Sequence, residues 1–203
     1  IIGVTGAVLA VIVAVVLLSG DDSGSPVEAE LKEGNLDPPS QVLKEGQSAS
    51  VVMKTSEGSF TIELDTTAAP KTANAFAYLT EEGFYDGLGF HRIVPDFVIQ
   101  GGDPKGDGSG GPGFKTVEKP SSDLKYEPGV VAMAKSGDEA PGTSGSQFFV
   151  VTGAGGASLP PEYALVGRVT EGFDVAEAIG SLGGPDERPT KTVVIEKATL
   201  EGV

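Results

Sequence analysis

The chain has 203 residues, 39% of them apolar, with 30 Gly, 14 Pro, one His and no Cys, and its formal net charge is −15. That length suits one folded domain with appendages, or at most two small ones, and the acid excess repels a phosphate backbone, so no nucleic acid is expected as a partner. Without Cys there is no disulfide, thiolate metal site or Cys nucleophile. The lone His91 builds no common zinc site, and no EF-hand spacing is present, so no metal or other cofactor is expected.

Residues 1–18 are apolar throughout, with Thr5 as the single hydroxyl residue and no charge. As a helix they would span roughly 27 Å, close to the hydrocarbon thickness of about 30 Å. The chain begins at Ile1 and not at Met, which points to residues upstream. Asp21 and Asp22 follow the run, with no Lys or Arg before Lys32, so this flank reads as non-cytoplasmic. Ser23-Gly24-Ser25 is followed by Pro26, a poor cleavage context. A retained transmembrane anchor is therefore expected, with the catalytic domain extracytoplasmic on a bacterial cell membrane; removal as a signal peptide, giving a secreted protein, is the alternative. Residues 19–48 are acidic and carry Pro26, Pro38 and Pro39. They have too little apolar content for a core and read as a flexible linker.

Residues 49–203 carry the folded domain. Ser50–Thr55 and Ser59–Leu64 alternate and are joined by a turn at Ser56–Gly58, which reads as a hairpin. A helix is predicted from Pro70 to Thr80, stopped by Gly83. Short strands are predicted at Phe90–Val94, Phe97–Gln100, Val130–Ala134, Gln147–Val151 and Ala164–Val169. A second helix fits Phe173–Ile179, and a last strand Thr192–Leu200. Many short strands with two helices predict a mainly β fold, a closed antiparallel barrel with helical caps.

Chemistry concentrates in two stretches. In Phe90–Asp103, Arg92 sits inside an apolar strand pair, where a guanidinium is costly unless paired or used; a structural salt bridge is the plain alternative. In Gly142–Val151, the adjacent Phe148 and Phe149 must point to opposite sheet faces, so one can fill the core while the other lines a groove. His91 is expected to be a structural strand residue on the face opposite Arg92. The glycine-rich run from Gly101 to Gly113 lacks the ending of a phosphate loop and reads as turns. Asp186 and Glu187, near Arg188, read as solvated surface.

Phe90-His91-Arg92-Ile93-Val94-Pro95, with Phe97-Val98-Ile99-Gln100-Gly101-Gly102-Asp103, resembles the signature of the cyclophilin family. Ser109-Gly110-Gly111, Met133-Ala134 and Gly145-Ser146-Gln147-Phe148-Phe149 match it in order and spacing. The likeness runs from about Ala49 to the C-terminus, and Leu159-Pro160-Pro161-Glu162-Tyr163 is similar to bacterial members, actinobacterial ones especially. The resemblance implies an eight-stranded antiparallel barrel capped by two helices, acting as a peptidyl-prolyl cis-trans isomerase on proline-containing peptides and unfolded or exported proteins. It implies that Arg92 is catalytic and that Phe97, Val98 and Phe149 form the proline pocket, closed by Leu159 and Tyr163. Gln100 and Gln147 would bond the substrate backbone or orient Arg92. Met133, Ala134 and Lys135 would line the strip beside the pocket, with the Lys135 backbone pairing with the peptide. A non-catalytic proline-binding or holdase module is the alternative. Many members carry a Trp just before the position of Leu159; this chain has none, with Ala157 and Ser158 there, which implies weak cyclosporin binding. A monomer is expected.

Overall fold

The computed structural model describes residues 36–202. The apolar run 1–18, and with it the expected anchor and most of the linker, lies outside the described residues. Among the described residues no helix is long and apolar enough to cross a membrane.

Ten strands and two helices follow in chain order: β1 Ser50–Thr55, β2 Gly58–Leu64, α1 Pro70–Glu81, β3 Phe90–Val94, β4 Val98–Gly101, β5 Thr116–Val117, β6 Val130–Met133, β7 Thr143–Ser144, β8 Phe148–Val151, β9 Leu165–Glu171, α2 Phe173–Gly180 and β10 Ile195–Glu201. Eight strands form one antiparallel sheet in the order β10-β1-β2-β9-β6-β8-β4-β3, while β5 and β7 make a separate ribbon that the sequence did not signal. The sheet curls until its edge strands meet. Phe90 N–H donates to Val193 O at 3.0 Å and Ile195 N–H to Leu88 O at 2.8 Å, around a bridge between Gly89 and Val194. The expected closed eight-stranded barrel is thereby corrected to a curled eight-stranded sheet whose edges join only over this short stretch.

Period-two alternation puts Val51, Met53, Phe60, Ile62, Ile99, Val131, Phe148, Val150 and Val166 inside the curl. α1 packs against β9 and β10, and α2 against β2, β3 and β4. α1 begins at Pro70 without a side-chain cap from its own N-cap residue. Its orphan donors are met instead from 46 residues away, where Glu118 accepts from Thr72 N–H and from Thr72 Oγ1, each at 2.8 Å. A carboxylate there also complements the positive end of the helix dipole. Gly83, at φ 60°, ends the helix, with Phe84 N–H returning to Leu79 O at 2.9 Å.

Two expectations change. The register slips between Phe90 and Arg92, a bulge that lets Phe90 and Ile93, three residues apart, both enter the interior. It breaks the strict alternation that had set His91 opposite Arg92. The tether also ends sooner than expected, because residues 36–48 lie along the domain. Leu43 is buried, with Leu36 and Val42 packed on the core. Asn74 of α1 clamps this strap, accepting from Val42 and Leu43 N–H at 2.7 and 2.9 Å and donating to Ser40 O at 2.8 Å.

Candidate active site

The sheet has a second apolar cluster on its outer face. Cross-strand register brings it about: Arg92 stands opposite Gln100, Gln100 opposite Phe149, Phe149 opposite Ala132, and Ala132 opposite Leu165. One row thus crosses five strands, guanidinium at one end and apolar side chains at the other. Phe149 and Val98 are 5% and 2% exposed and join Ala132, Val130, Val151 and Tyr126 as a floor. Phe97, Ala134, Leu159 and Tyr163 are half-buried and pack on it as a rim. Phe148 turns inward, 0% exposed, while Phe149 turns outward, the opposite-face arrangement expected of neighbours on a strand.

The rings of Phe149 and Tyr163 meet edge-on with centroids 5.4 Å apart. Beneath them Tyr126, fully buried, donates its hydroxyl to Tyr163 O at 2.7 Å and accepts from Tyr163 N–H at 2.9 Å. Burial pushes the Tyr126 phenol up to about 12, so it stays protonated and both bonds hold. On the opposite rim, Thr152 N–H donates to Phe97 O at 2.9 Å. Asp96 at φ 56° takes Ala154 N–H on its carboxylate at 3.2 Å and Gly155 N–H on its carbonyl at 3.1 Å. These bonds seat the 3-10 turn Ala154–Ser158 that leads into Leu159. Gly153 is required there, since a Cβ would come within 2.2 Å of the Asp96 backbone.

Polar groups form a directed chain. Arg92 Nε donates to Glu187 Oε2 at 2.6 Å and Nη1 to Gln100 Oε1 at 3.5 Å. Gln100 Nε2 donates to Gln147 Oε1 at 3.1 Å, and Gln147 Nε2 to Gly108 O and Gly110 O, both at 2.9 Å. The glycine-rich run is thus a set of turns whose carbonyls end this chain. Asp103, 1% exposed, folds it by accepting from Lys105 N–H at 2.9 Å, Asp107 N–H at 3.1 Å and Gly108 N–H. Arg92 is ion-paired, as the plain alternative held, but not buried: its side chain is 35% exposed and stands beside the apolar groove. His91 lies nearby with its Nδ1 buried and unbonded, and burial holds its imidazole below the usual value.

Met133 needs correction. It is 1% exposed, belongs to the interior cluster and pairs with the inward-facing Phe148, so it does not line the groove. Lys135 follows the rim residue Ala134. Its side chain is 4% exposed, 3.4 Å from the Glu162 carboxylate, donating to Ser136 O and Glu139 O at 3.3 and 3.2 Å, with the ammonium 5.7 Å from the Tyr163 ring centroid. Sequence reading missed Tyr126, Asp96, Asp103 and Glu187 as supports. Asp96, next to Phe97, carried a local signal as a turn residue between two strands, and Asp103 carried one as an acidic residue of the glycine-rich run.

The chain matches the family model described as cyclophilin type peptidyl-prolyl cis-trans isomerase/CLD over residues 50–200. It is 41% identical over 156 residues to the peptidyl-prolyl cis-trans isomerase-like 1 of Gibberella zeae, covering 74% of this chain and 94% of that protein. It is 43% identical over 155 residues to the peptidyl-prolyl cis-trans isomerase ppi1 of Schizosaccharomyces pombe, covering 74% and 97%. A crystal structure of a cyclophilin type peptidyl-prolyl cis-trans isomerase from Cryptosporidium parvum superposes with a TM-score of 0.70 at 29% identity, over 77% of this chain and 99% of that one. The outer-face groove with its ordered guanidinium thus sits on a fold and a sequence shared with these proteins: the chain belongs to the cyclophilin-type peptidyl-prolyl cis-trans isomerases.

Proposed function

We propose that this isomerase turns X–Pro bonds in the groove outside β3, β4, β6 and β8, with Arg92 as the catalytic group. The single observation that carries the reading is the cross-strand row that ends an apolar floor on an ordered, half-exposed guanidinium. The uncatalysed barrier is about 18–20 kcal/mol, because resonance stiffens the C–N bond. No bond is made or broken, so the catalyst has only to favour the twisted amide over both planar forms. In the twisted form the prolyl nitrogen regains its lone pair, and a guanidinium held beside it donates to that lone pair. Phe97, Val98, Phe149, Leu159 and Tyr163 hold the ring while the acyl side rotates. They also lower the local dielectric, which strengthens the contact to Arg92. Gln100 and Gln147 fix the polar edge, and the backbone around Ala134 and Lys135 supplies an extended strip for the peptide. A second Cryptosporidium parvum structure was determined in the presence of the dipeptide Ala-Pro, and the same class of ligand is assigned to this groove.

The apolar run 1–18 and the acidic stretch after it support a bacterial isomerase tethered at the outer face of the cell membrane, with exported or membrane-associated proteins as clients. The absence of Trp from the chain, with Ala157 and Ser158 just before Leu159, supports weak cyclosporin binding, and a monomer is proposed. The reading is tested by adding the full chain to a protein whose refolding waits on proline isomerisation, and by protease accessibility of the domain in intact cells. Acceleration of the slow phase, with the domain cut from outside, is expected. Suppression of aggregation without any change in the slow phase would replace catalysis with a holdase role.

A further inference from the structure

We infer that Glu187 is a positioning residue for catalysis, setting the plane in which Arg92 presents its guanidinium; this rests on the reading of Arg92 as the catalytic group. The two bonds that hold Arg92 are unequal. The bond to Gln100 is 3.5 Å long, at the limit of a hydrogen bond, whereas Nε to Glu187 is 2.6 Å and charge-assisted. Gln100 therefore does not fix the guanidinium by itself. Nε carries a single hydrogen in the guanidinium plane, so capturing it fixes the rotation about the last side-chain bonds and leaves the Nη hydrogens for the groove.

The loop around Glu187 is built to hold it. Glu187 and Asp96 are the non-glycine residues with positive φ among the described residues, at 62° and 56°. Such backbone persists where its surroundings over-determine it, and it gathers at functional sites. Asp96 seats one wall of the groove, as described above. For Glu187, the N–H donates to Gly184 O at 3.0 Å, the carbonyl accepts from Ile93 N–H of β3 at 2.8 Å, Gly184 N–H donates to Arg188 O at 2.7 Å, and Thr190 N–H donates to Leu182 O at 2.7 Å. The loop thus extends the β3 edge beside Arg92, and its left-handed residue is the one whose carboxylate meets Nε. Stability does not account for this arrangement. The Glu187 side chain is 52% and the Arg92 side chain 35% exposed, and pairs exposed to that degree contribute little to folding. What the pair supplies is orientation.

The test uses the full chain with an X–Pro peptide whose exchange is followed by NMR, each variant well below its melting temperature. Glu187→Gly relieves the left-handed backbone while removing the carboxylate. Expected are a kcat lower by about ten- to a hundredfold, the range a displaced catalytic group loses, an unchanged KM and a melting temperature no lower than that of the parent. The Arg92 Nε–Hε resonance should lose its downfield position and exchange faster with water. Glu187→Gln keeps an acceptor for Nε and should recover most of kcat. If Arg92→Ala abolishes activity while Glu187→Gly keeps the parent kcat, Glu187 has no positioning role and the reading of Arg92 stands. If Arg92→Ala retains the parent rate, the catalytic assignment fails first. A Glu187→Gly variant that melts early with kcat intact would make the pair purely structural and overturn the inference.

Discussion

Gln100 donates its amide to Gln147 at 3.1 Å, and through that one bond the arginine side of the groove is tied to the glycine-rich turns. Replacing Gln147 by Leu removes the link and leaves the carbonyls of Gly108 and Gly110 without their donor. The expected result is a rise in KM for an X–Pro peptide and a fall in kcat/KM of about ten- to a hundredfold, with the fold retained, as for other lost orienting contacts. Peptide-exchange kinetics with a parallel circular-dichroism melt check it.

Tyr126 supports the groove from below. Tyr126→Phe keeps the ring contacts with Phe149 and Tyr163 but leaves the Tyr163 backbone without both hydroxyl bonds. Buried groups left unpaired cost about 1–3 kcal/mol. The urea midpoint should fall by the corresponding amount at constant m, and peptide affinity should weaken as Tyr163 loosens.

The strap 36–48 is expected to be part of the folded unit. Leu43→Ala should cost about 2–5 kcal/mol, as other buried Leu truncations do. Asn74→Ala leaves the N–H groups of Val42 and Leu43 without their acceptor, a loss of about 1–3 kcal/mol. Chemical denaturation of the full chain measures both, and midpoints equal to that of the parent would show that the strap does not stabilise the domain.

His91 gives the fold a pH dependence of definite sign. Its imidazole is held low chiefly by burial, so the unfolded chain takes up a proton before the folded one does. Stability from this group is full above the ordinary value of about 6.5 and is lost as pH falls from there towards the depressed folded value. Thermal melts from pH 8 to pH 5 should show a decline beginning near that point, and His91→Leu should flatten it. Activity, which needs no proton transfer, should stay level below pH 6.5 for as long as the chain remains folded.

Much of this was legible from local pattern. The hairpin β1–β2, α1 from Pro70 and the divergence of Phe148 and Phe149 follow from periodicity, from proline and glycine at helix ends, and from strand alternation. What was not legible depends on contacts between distant residues. Glu118 caps α1, and Glu187 meets Arg92 across 95 positions; neither lies in a patterned segment, and Glu187 reads from sequence as solvated surface. Met133 was put in the groove by the resemblance alone, and β6 could not correct it, because it is buried along its whole length and its apolar run does not reveal which side chains turn inward. The bulge at His91 hid in the same way, since one extra residue leaves no mark in composition. Leu36, Val42 and Leu43 seemed too sparse to pack, yet Asn74 supplies the polar partners that bring them onto the domain.

The proposed role of the Arg92 guanidinium is to speed rotation about an X–Pro bond bound in the apolar groove. The direct measurement is the cis-trans exchange rate of one X–Pro peptide with the full chain and with Arg92→Ala, read together with peptide affinity. The variant should still bind the peptide and keep its melting temperature while losing most of the rate enhancement. An exchange rate equal to that of the parent would contradict that role.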